Sequence, residues 1–303
     1  MKTIIVTGAN SGLGLWTTRY LLDQYDQVIL ACRNVEKAKQ VMADFPGNRG
    51  KNYIIKPLDL GDFDSIKSFV IGLSEFKEIY GLDCNAGMSY EGPFRYTKNG
   101  IEETFGTNFL GHFLLTNLLL QRYHLEKIVI ISSELHNPKN KSPFAKAEFK
   151  PIEALAHPQI DPHITLEKQG QSFYSTSKLC DILFAYELDR RLNPKGLPPR
   201  TLVNVMNPGL MLSTNLARTH KPWENIYRKG LHLMFKLIGL ADTPQGSAKY
   251  VVRLLHEVTT SGVYYDRDTP ARSSDDSYDI AKAKLLWEGG EQLVGMKFLN
   301  EYI

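Results

Sequence analysis

The sequence predicts an α/β fold: a single domain over residues 1–303, built on a doubly wound parallel sheet with helices on both faces. Short apolar runs alternate with longer amphipathic stretches through the first hundred residues, which is typical of βαβ units. A length of 303 residues suits one large core, and no linker, internal repeat or low-complexity tract divides the chain.

Each predicted element follows from its hydrophobic pattern. The predicted strands occupy residues 3–7, 27–31, 53–58, 82–85, 127–132, 201–206 and 262–265. The predicted helices occupy residues 13–24, 35–45, 64–75, about 105–120, 175–192 and 244–256. The run at 127–132 is largely apolar, so we expect a strand that is covered on both faces. Asn193-Pro194 ends one helix and Thr243-Pro244 opens the last.

Charge and composition limit the classes of binding partner and the cellular compartment that we expect. The formal net charge is +3 and both signs are interspersed, so nothing indicates nucleic-acid binding or a polybasic membrane surface. Cys32, Cys84 and Cys180 lie far apart, and neither they nor the histidines have the spacing of a disulfide framework or a metal site. The first apolar run is too short for a signal peptide or a membrane span. We expect a cytoplasmic or other reducing compartment.

Two segments depart from the alternation of strands and helices. Residues 136–171 are rich in Pro, Lys, Asn and His, and they are longer than an ordinary connection, so they form either a functional loop or a partly ordered insertion. Residues 213–243 are apolar and aromatic with Lys and Arg interspersed. They could cover a substrate as a lid, pack on the core as an amphipathic helix, or contact a membrane peripherally.

Glycines follow the first predicted strand directly. The turn from Thr7 to Gly14 lies between that strand and the first helix, where the exposed N–H groups of a helix start can bind an anion. Glycines there would permit the turn, let a pyrophosphate approach the backbone and let helix and strand pack closely. We therefore predict a dinucleotide site, with a purely structural turn as the alternative. The turn residues assigned to the cofactor are Gly8, Asn10, Ser11, Gly12, Leu13 and Gly14.

The residue after the second strand indicates which dinucleotide is bound. Arg33 stands where NAD enzymes commonly carry an acidic residue, and its guanidinium can pair with a 2′-phosphate, with assistance from Lys37. This favours NADP(H). Asp59, after the third strand, could accept a hydrogen bond from the adenine amino group. The alternatives are a solvated arginine and an aspartate that caps its own turn.

Four residues have the chemistry of proton transfer. Tyr174 and Lys178 are four residues apart, so in a helix they project from one face, and the ammonium would lower the pKa of the phenol. A phenol of lowered pKa suits proton transfer to an alcohol or carbonyl oxygen. Ser133, at the end of a buried strand, would hydrogen-bond that oxygen, with Ser132 as its rival. Asn108, a polar residue in an apolar helix, could support a water-mediated proton path to Lys178.

These motifs resemble the short-chain dehydrogenase/reductase superfamily, from the N-terminus to about Tyr265. The matching positions are Thr7 to Gly14, Asp59, Asn85-Ala86-Gly87, Asn108, Ser133, Tyr174 with Lys178, and Pro208-Gly209 followed by Ser213-Thr214. The resemblance implies a Rossmann fold, hydride transfer from NADPH and a catalytic tetrad of Asn108, Ser133, Tyr174 and Lys178. It further implies cofactor contacts from Asp59, Leu60, Asn85, Ala86, Gly87, Tyr174, Lys178, Pro208, Gly209, Ser213 and Thr214.

A narrower resemblance is to light-dependent protochlorophyllide reductases and retinol dehydrogenases. The stretches that carry it are residues 28–34, 58–61, 108–115, 177–180, 286–288 and 292–295. The long gap between Ser133 and Tyr174 also resembles the insertion of the pigment reductases. Two positions depart from them, because Asn207-Pro208-Gly209-Leu210 replaces their Tyr-Pro-Gly-Cys and Ser133 replaces their usual threonine. The departures imply a relative of that branch rather than a protochlorophyllide reductase.

The sequence therefore predicts an NADP(H)-dependent oxidoreductase that moves a hydride to or from the carbonyl or alcohol of a small lipophilic substrate. Reduction of a carbon–carbon double bond in a tetrapyrrole-like molecule is one alternative. A non-catalytic NADP(H)-binding sensor or scaffold is another, although nucleotide binding alone does not need Tyr174 and Lys178 at their spacing. Helices that begin near Gly100 and Ser175 often form dimers in the superfamily, so we expect a monomer or a homodimer.

Overall fold

A computed structural model describes residues 1–45, 52–194, 200–211 and 242–298. These residues form one eight-stranded sheet with helices packed around it. The strands are β1 (Thr3–Thr7), β2 (Gln27–Cys32), β3 (Tyr53–Pro57), β4 (Gly81–Cys84), β5 (Lys127–Ile131), β6 (Leu202–Asn207), β7 (Val263–Asp266) and β8 (Thr269–Ala271). Their order is β3-β2-β1-β4-β5-β6-β7-β8, and only the β7–β8 pair in this described sheet is antiparallel. The predicted fold class is confirmed, with one antiparallel edge strand added.

The helices lie between strands of the sheet in the sequence, except the last, which follows β8. They are α1 (Gly12–Leu21), α2 (Val35–Ala43), α3 (Phe63–Ile71), α4 (Glu103–Phe105), α5 (Gly111–Leu120), α6 (Ile152–Ala156), α7 (Leu166–Leu192), α8 (Pro244–His256) and α9 (Ile280–Val294). A π-helical turn, Gly106–Leu110, joins α4 to α5, and 3₁₀ turns lie at Glu134–His136 and Asp275–Tyr278. Among the described residues, no helix has both the length and the apolar character to cross a membrane.

The strand order reverses between β1 and β4, which are neighbours in the sheet although β2 and β3 follow β1 in sequence. In parallel sheets, the crevice beyond the carboxyl ends of the strands at such a reversal is the usual ligand site. The loops that begin at Gly8 and Asn85 leave β1 and β4 at this crevice. The topology thus brings the glycine turn and the Asn85-Ala86-Gly87 loop to one place.

Side chains along the strands alternate between two cores. Ile5 lies in the core beneath α3, α5, α7 and α9, whereas Ile4 and Val6 lie in the core beneath α1 and α8. The first core is rich in rings that pack at right angles or tilted, with centroids 5.0 Å apart for Phe113 and Trp287. Every residue of β1 and of β5 is buried. The sheet is therefore covered on both faces, as expected for the run at 127–132.

The predicted bounds agree for one helix and differ for another, although both begin at a threonine cap. Helix α8 begins and ends at the predicted residues, and the Thr243 side chain accepts a hydrogen bond from Gly246 N at its start. Helix α7 instead begins at Leu166 rather than at Ser175, after an N-cap at Thr165 whose hydroxyl accepts from Lys168 N. The prediction ended the sheet at 262–265, so β8 and α9 are additions.

Residues of the 136–171 segment pack along α7. Ser175 Oγ donates to the Ala145 carbonyl oxygen at 2.7 Å, and Ser172 Oγ donates to the Lys146 carbonyl oxygen at 3.0 Å. Gln171 Oε1 accepts from Ala145 N at 3.2 Å. Polar side chains of one helix thus satisfy the backbone of an irregular segment, which orders the segment against the helix that carries Tyr174. The 213–243 segment lies outside the described residues except for Asp242 and Thr243.

Candidate functional site

The turn after β1 has the backbone of an anion cradle. Gly8 and Gly12 have φ values of +66° and +54°, which side-chain-bearing residues rarely adopt. A Cβ on Gly14 would lie 2.4 Å from Asn85 Nδ2 and 2.8 Å from the Gly8 carbonyl oxygen. Within the described residues, the Ser11 side chain makes no capping hydrogen bond to α1, so the first N–H groups of that helix can serve an anion. The turn therefore fits the pyrophosphate of a dinucleotide.

A hydrogen-bond network ties the ends of β1 and β4 together. Thr7 Oγ1 accepts from Asn85 N and Ala86 N at 2.9 Å each, and Asn85 Nδ2 donates to the Thr7 carbonyl oxygen at 2.7 Å. His112 places Nε2 2.9 Å from Thr7 Oγ1 and Nδ1 2.8 Å from the Asn108 carbonyl oxygen. Burial lowers the pKa of His112 to about 4, so the neutral ring donates from Nδ1 and accepts the Thr7 hydroxyl at Nε2. In the sequence, His112 is visible only as a polar residue in an apolar helix, which does not indicate this role.

The residues expected at the adenosine end lie around the carboxyl ends of β2 and β3. Arg33 Nη1 lies 3.9 Å from Asp59 Oδ2, and the Arg33 side chain is 60% exposed. Asp59 Oδ1 accepts from Gly61 N at 3.0 Å, so this carboxylate caps its own turn, as one interpretation of the sequence held. An exposed ion pair of that length is weak, which leaves the guanidinium able to turn to a phosphate. Lys37 lies in the first turn of α2.

Tyr174, Lys178 and Ser133 converge at the carboxyl end of β5. Tyr174 and Lys178 are both buried on α7, with Lys178 Nζ 5.9 Å from the centre of the phenol ring. The Ser133 hydroxyl acts to lower the pKa of the Tyr174 phenol, and it accepts a hydrogen bond from Leu135 N at 3.3 Å. Ser132 Oγ donates instead to the Lys178 carbonyl oxygen at 2.8 Å. The structure thus separates the two serines: Ser133 acts on the phenol, and Ser132 joins α7 to β5.

Asp181 is a charged partner of Lys178 that the sequence-based prediction missed. Lys178 Nζ donates to Asp181 Oδ2 at 2.9 Å, and their side chains are 5% and 3% exposed. Burial raises the pKa of Tyr174, Lys178 opposes this, and the net pKa is above its ordinary value. Burial acts to lower the pKa of Lys178, but Asp181, Tyr174 and Cys84 together outweigh it, and that pKa is also raised. Lys178 therefore lowers the pKa of the Tyr174 phenol as predicted, but burial raises that pKa by more.

His136 fixes the loop that carries Ser133. Its Nδ1 lies 2.6 Å from the Ser133 carbonyl oxygen, and its Nε2 accepts from Ser274 N at 3.0 Å. Burial lowers the pKa of His136, so the ring is neutral at pH 7 and makes one hydrogen bond as a donor and one as an acceptor. The ring also packs on Tyr264, with centroids 5.1 Å apart. The residue therefore holds the end of β5 against the C-terminal part of the described chain.

Asn108 lies in the π-helical turn between α4 and α5, a geometry often found at functional sites. Its Oδ1 accepts from Met88 N at 2.8 Å, and its Nδ2 donates to the Met88 carbonyl oxygen and to Ser177 Oγ. A Cβ on Gly87 would lie 3.5 Å from Asn108 Oδ1 and 3.7 Å from Lys178 Nζ. The amide thus fixes the loop after β4 against α7. The water-mediated path from Asn108 to Lys178 stays a prediction.

One cavity of about 1360 Å³ joins these groups. It exceeds the ~300–1,000 Å³ of common small-molecule sites, so it has room for a dinucleotide with a second ligand. The predicted residues that line it are Gly8, Asn10, Ser11, Gly12, Leu13, Arg33, Lys37, Asp59, Leu60, Asn85, Ala86, Gly87, Ser133, Tyr174, Lys178, Pro208 and Gly209. Gly14 and Asn108 are not part of its lining and support residues that are. Ser213 and Thr214 lie outside the described residues.

The 136–171 segment contributes a wall of this cavity beside Tyr174. Residues 140–144 line it, and the Phe144 ring meets the Tyr174 ring edge-on with centroids 6.1 Å apart. Ser142 N donates to Asn140 Oδ1 at 2.9 Å, which closes the turn before Phe144. Leu210 and Met211 line the cavity as well. A ligand that reaches the Tyr174 hydroxyl therefore lies close to apolar side chains of this segment.

The turn after β6 packs on an ion pair. Gly209 has φ +87°, and a Cβ there would lie 2.0 Å from Asp242 Oδ2. Asp242 accepts from Arg267 Nε at 2.8 Å, and Arg267 N donates to the Asn207 carbonyl oxygen at 2.8 Å. Arg267 itself has φ 57°, which is uncommon for a residue other than glycine. The Pro208-Gly209 turn is thus positioned by two residues that the sequence motif does not include.

Sequence comparisons agree with this geometry. A family model described as short chain dehydrogenase matches residues 2–143. The WW domain-containing oxidoreductase of Danio rerio is 32% identical over 302 residues, covering 97% of this chain and 68% of that protein. The chloroplastic protochlorophyllide reductase of Daucus carota is 32% identical over 321 residues, covering 97% of this chain and 78% of that protein. The chain belongs to the short-chain dehydrogenase/reductase superfamily.

Further similarities identify the branch of the superfamily and support the fold. Retinol dehydrogenase 13 of Mus musculus is 31% identical over 310 residues, covering 97% of this chain and 84% of that protein. With the pigment reductase, it confirms the predicted branch. A solved structure of an uncharacterised Mycobacterium paratuberculosis protein has a TM-score of 0.74 at 27% identity, covering 98% of this chain and 94% of that one. An actinorhodin polyketide ketoreductase structure, at 19% identity and a TM-score of 0.63 over 88% of this chain and 95% of that one, shares the fold.

Members of this superfamily bind nicotinamide nucleotides, so the glycine turn can be tested directly. We expect Gly14→Ala to weaken the binding of NADPH and of NADH alike by about tenfold or more, because the added Cβ would displace the turn that holds their shared pyrophosphate. Nucleotide fluorescence titrations measure both affinities. Gly72→Ala is the control, since its Cβ would meet no atom closer than 3.3 Å. Unchanged affinities in Gly14→Ala would exclude the turn as the nucleotide site.

Proposed function

We propose that this protein is an NADPH-dependent oxidoreductase that interconverts the carbonyl and the alcohol of a small lipophilic substrate. One observation carries the proposal: a single cavity is lined at one end by the β1–α1 glycine turn and at the other by Ser133, Tyr174 and Lys178. A protein that only senses the nucleotide would need the turn. It would not need a buried phenol and ammonium in the same cavity.

Charges beyond β2 support NADPH over NADH. Arg33 and Lys37 both line the cavity, and both can approach one phosphate. A guanidinium binds phosphate through two charge-assisted hydrogen bonds, which the ribose hydroxyl of NADH cannot replace. The nearest carboxylate, Asp59, is engaged by Gly61 N and lies 3.9 Å from Arg33, so it can release the guanidinium to a stronger partner.

Proton transfer in this proposal is carried out by Tyr174. In the direction of reduction, the phenolic hydrogen passes to the substrate oxygen as that oxygen gains negative charge, and Ser133 Oγ donates a hydrogen bond to the same oxygen. The ammonium of Lys178 stabilises the phenolate that remains. A bound nicotinamide supplies the hydride, or accepts it in the direction of oxidation. In oxidation the phenolate takes the alcohol proton.

The proposed substrate is lipophilic. Phe144 meets the Tyr174 ring edge-on, and the cavity is also lined by the apolar residues Leu135, Pro143, Leu210 and Met211. Hydrocarbon placed against such a wall is removed from water, and its burial favours binding. Two of the similar proteins are named for retinol and protochlorophyllide, both of which are lipophilic. The carbonyl would then be the polar end of the substrate, held by Ser133 and Tyr174.

The cofactor part of the proposal is tested with Arg33→Ala. We expect its NADPH affinity to fall by about 10- to 100-fold, which is the loss of a charge-assisted phosphate contact, while its weaker NADH affinity stays near that of the wild type. Nucleotide fluorescence titrations give both constants. Lys39→Ala is the matched control, because it removes an exposed positive charge from α2 at a residue outside the cavity lining. Equal losses for the two nucleotides, or no loss, would contradict NADPH preference.

A further inference from the structure

We propose that Asp181 is a positioning residue for proton transfer: its carboxylate fixes the Lys178 ammonium against β5, offsets its charge, and so sets the pH at which Tyr174 exchanges its proton. The inference rests on the proposed roles of Tyr174 and Lys178 in catalysis. Asp181 is not part of the cavity lining, so it acts on a substrate only through Lys178.

The contacts of Lys178 leave its ammonium little freedom. Nζ donates to Asp181 Oδ2 on α7 and to the Ile131 carbonyl oxygen at the end of β5, at 2.9 Å in each case. An ammonium has three donors, so one remains for the cavity that Lys178 lines. Without the carboxylate, only the β5 carbonyl would hold the ammonium. Asp181 therefore determines both the place of the charge and the direction of its free donor.

Burial makes the counter-charge necessary. The Lys178 and Asp181 side chains are 5% and 3% exposed, so water solvates neither charge. A buried ammonium without a partner is strongly unfavourable and would tend to lose its proton. The carboxylate offsets this cost, so Tyr174 faces the charges of a pair rather than that of a lone ammonium. The carboxylate also partly cancels the field of that charge at Tyr174.

The other ionisable groups that face this pair are neutral at pH 7. From β4 comes Cys84, whose thiol pKa is raised by burial. From α5 comes His112, whose pKa is lowered to about 4 by burial. The end of β5 contributes the Ile131 carbonyl and the Ser133 hydroxyl, which carry no charge. Across the described elements packed here, the charges that act on Tyr174 are those of Lys178 and Asp181.

The direction of the effect follows from electrostatics. A negative charge raises the pKa of every proton-binding group nearby, and Asp181 acts in this direction on both Tyr174 and Lys178. Asp181→Asn keeps the size of the side chain and removes the charge, so the two coupled groups should both lose their protons at lower pH. Because they titrate as a pair, the shift belongs to the pair. We expect it to be at least about 1 pH unit.

Two measurements follow this shift. The first is the tyrosinate absorbance of each protein as a function of pH, taken as the difference from the same protein with Tyr174→Phe, which isolates the Tyr174 phenol. The second is the pH profile of kcat/KM for NADP⁺-dependent oxidation of retinol, whose rising limb should move to lower pH in Asp181→Asn. The absorbance measurement needs neither nucleotide nor substrate. It therefore decides the inference even where retinol is not oxidised and the proposed function fails.

Controls separate the charge from a general effect on the helix. Glu167→Gln removes an exposed carboxylate from the first turn of α7 and should leave both profiles unchanged. Asp181→Glu keeps the charge and should titrate near the wild type. Asp181→Ser is made in parallel and replaces Asp181→Asn if that variant lacks the wild-type circular dichroism. A folded neutral variant whose Tyr174 titrates as in the wild type would overturn the inference.

Discussion

Tyr174→Phe is expected to lower kcat for carbonyl reduction by about 10²- to 10⁴-fold, the usual contribution of a positioned general acid, and to change NADPH affinity far less. The substitution removes the proton donor and keeps the ring. The ring can therefore still pack edge-on against Phe144, and the wall of the cavity is preserved. Ser133 would continue to bind the substrate oxygen, but no group beside it could deliver a proton. The loss should thus fall on kcat rather than on binding.

The measurement is steady-state kinetics with NADPH and a panel of lipophilic ketones and aldehydes, together with nucleotide fluorescence titration. Tyr186→Phe is the control, because it removes a buried hydroxyl from the same helix. This hydroxyl lies 2.8 Å from Ser273 Oγ, and Tyr186 does not line the cavity. That variant should keep its turnover. If Tyr174→Phe also kept the wild-type kcat, the proton would come from another group and the proposed mechanism would be wrong.

The half of the fold that precedes β5 was predictable because its signals are local. Strands β1 and β2 are short apolar runs, helices α2 and α3 have an amphipathic repeat, and the polar caps Asn34 and Asp62 mark where these two helices begin. Helix α8 shows the same dependence, since Thr243 caps it and Pro244 opens it. In such segments the stability of the helix or strand depends on residues that are close in sequence, so a single sequence is enough to predict it.

The 136–171 segment could not be predicted in this way. Its backbone is satisfied by Gln171, Ser172 and Ser175 of α7, residues that read as ordinary polar positions in the sequence. The helix that carries them extends back to Leu166, where the Thr165 hydroxyl caps it. β8 was missed for a related reason: three exposed residues with a proline show no alternation, and pairing with β7 alone defines the strand.

The candidate site divides in the same manner. The glycine turn, Ser133, Tyr174 and Lys178 were named from sequence because their spacing on one turn, strand end or helix encodes where they lie. The residues that hold these groups in place were not named, because they are recognised only by the contacts they make in the folded chain. His112 contacts Thr7 at the carboxyl end of β1, and Arg267 donates to Asp242 from another loop. For Asp181 the spacing from Lys178 was visible, but burial gives the pair its importance, and burial belongs to the folded chain.

Asp83 is the sharpest case of a residue whose character depends on burial. It lies in the middle of β4 between Val6 of β1 and Val129 of β5, and it is fully buried. Among the described residues, neither of its carboxylate oxygens has a hydrogen-bond partner. Burial raises the pKa of Asp83 well above its ordinary value, so the folded protein favours the protonated acid. A strand position flanked by two valines thus carries a polar group that no hydrogen bond satisfies within the part of the chain that the structure describes.

We expect Asp83→Val to stabilise the protein by about 2 kcal/mol or more at pH 7, because it removes an unsatisfied buried group and places an apolar side chain between two others. The gain should depend on pH. The unfolded chain releases the Asp83 proton above its ordinary pKa of about 3.9, whereas the folded state holds it, so the stability of the wild type falls as pH rises from there toward the folded-state pKa. The advantage of the variant should therefore grow from pH 4 upward.

Urea unfolding followed by circular dichroism between pH 4 and pH 8 measures both effects. Asp83→Asn is the matched variant: it cannot ionise, so the pH-dependent part of the difference from the wild type should match that of Asp83→Val, while the cost of burying an unpaired polar group remains. A constant difference between the wild type and Asp83→Val across this range would mean that the carboxyl group has the same proton affinity folded and unfolded. A less stable Asp83→Val at pH 7 would mean that the carboxyl has a partner whose loss outweighs the relief of burial.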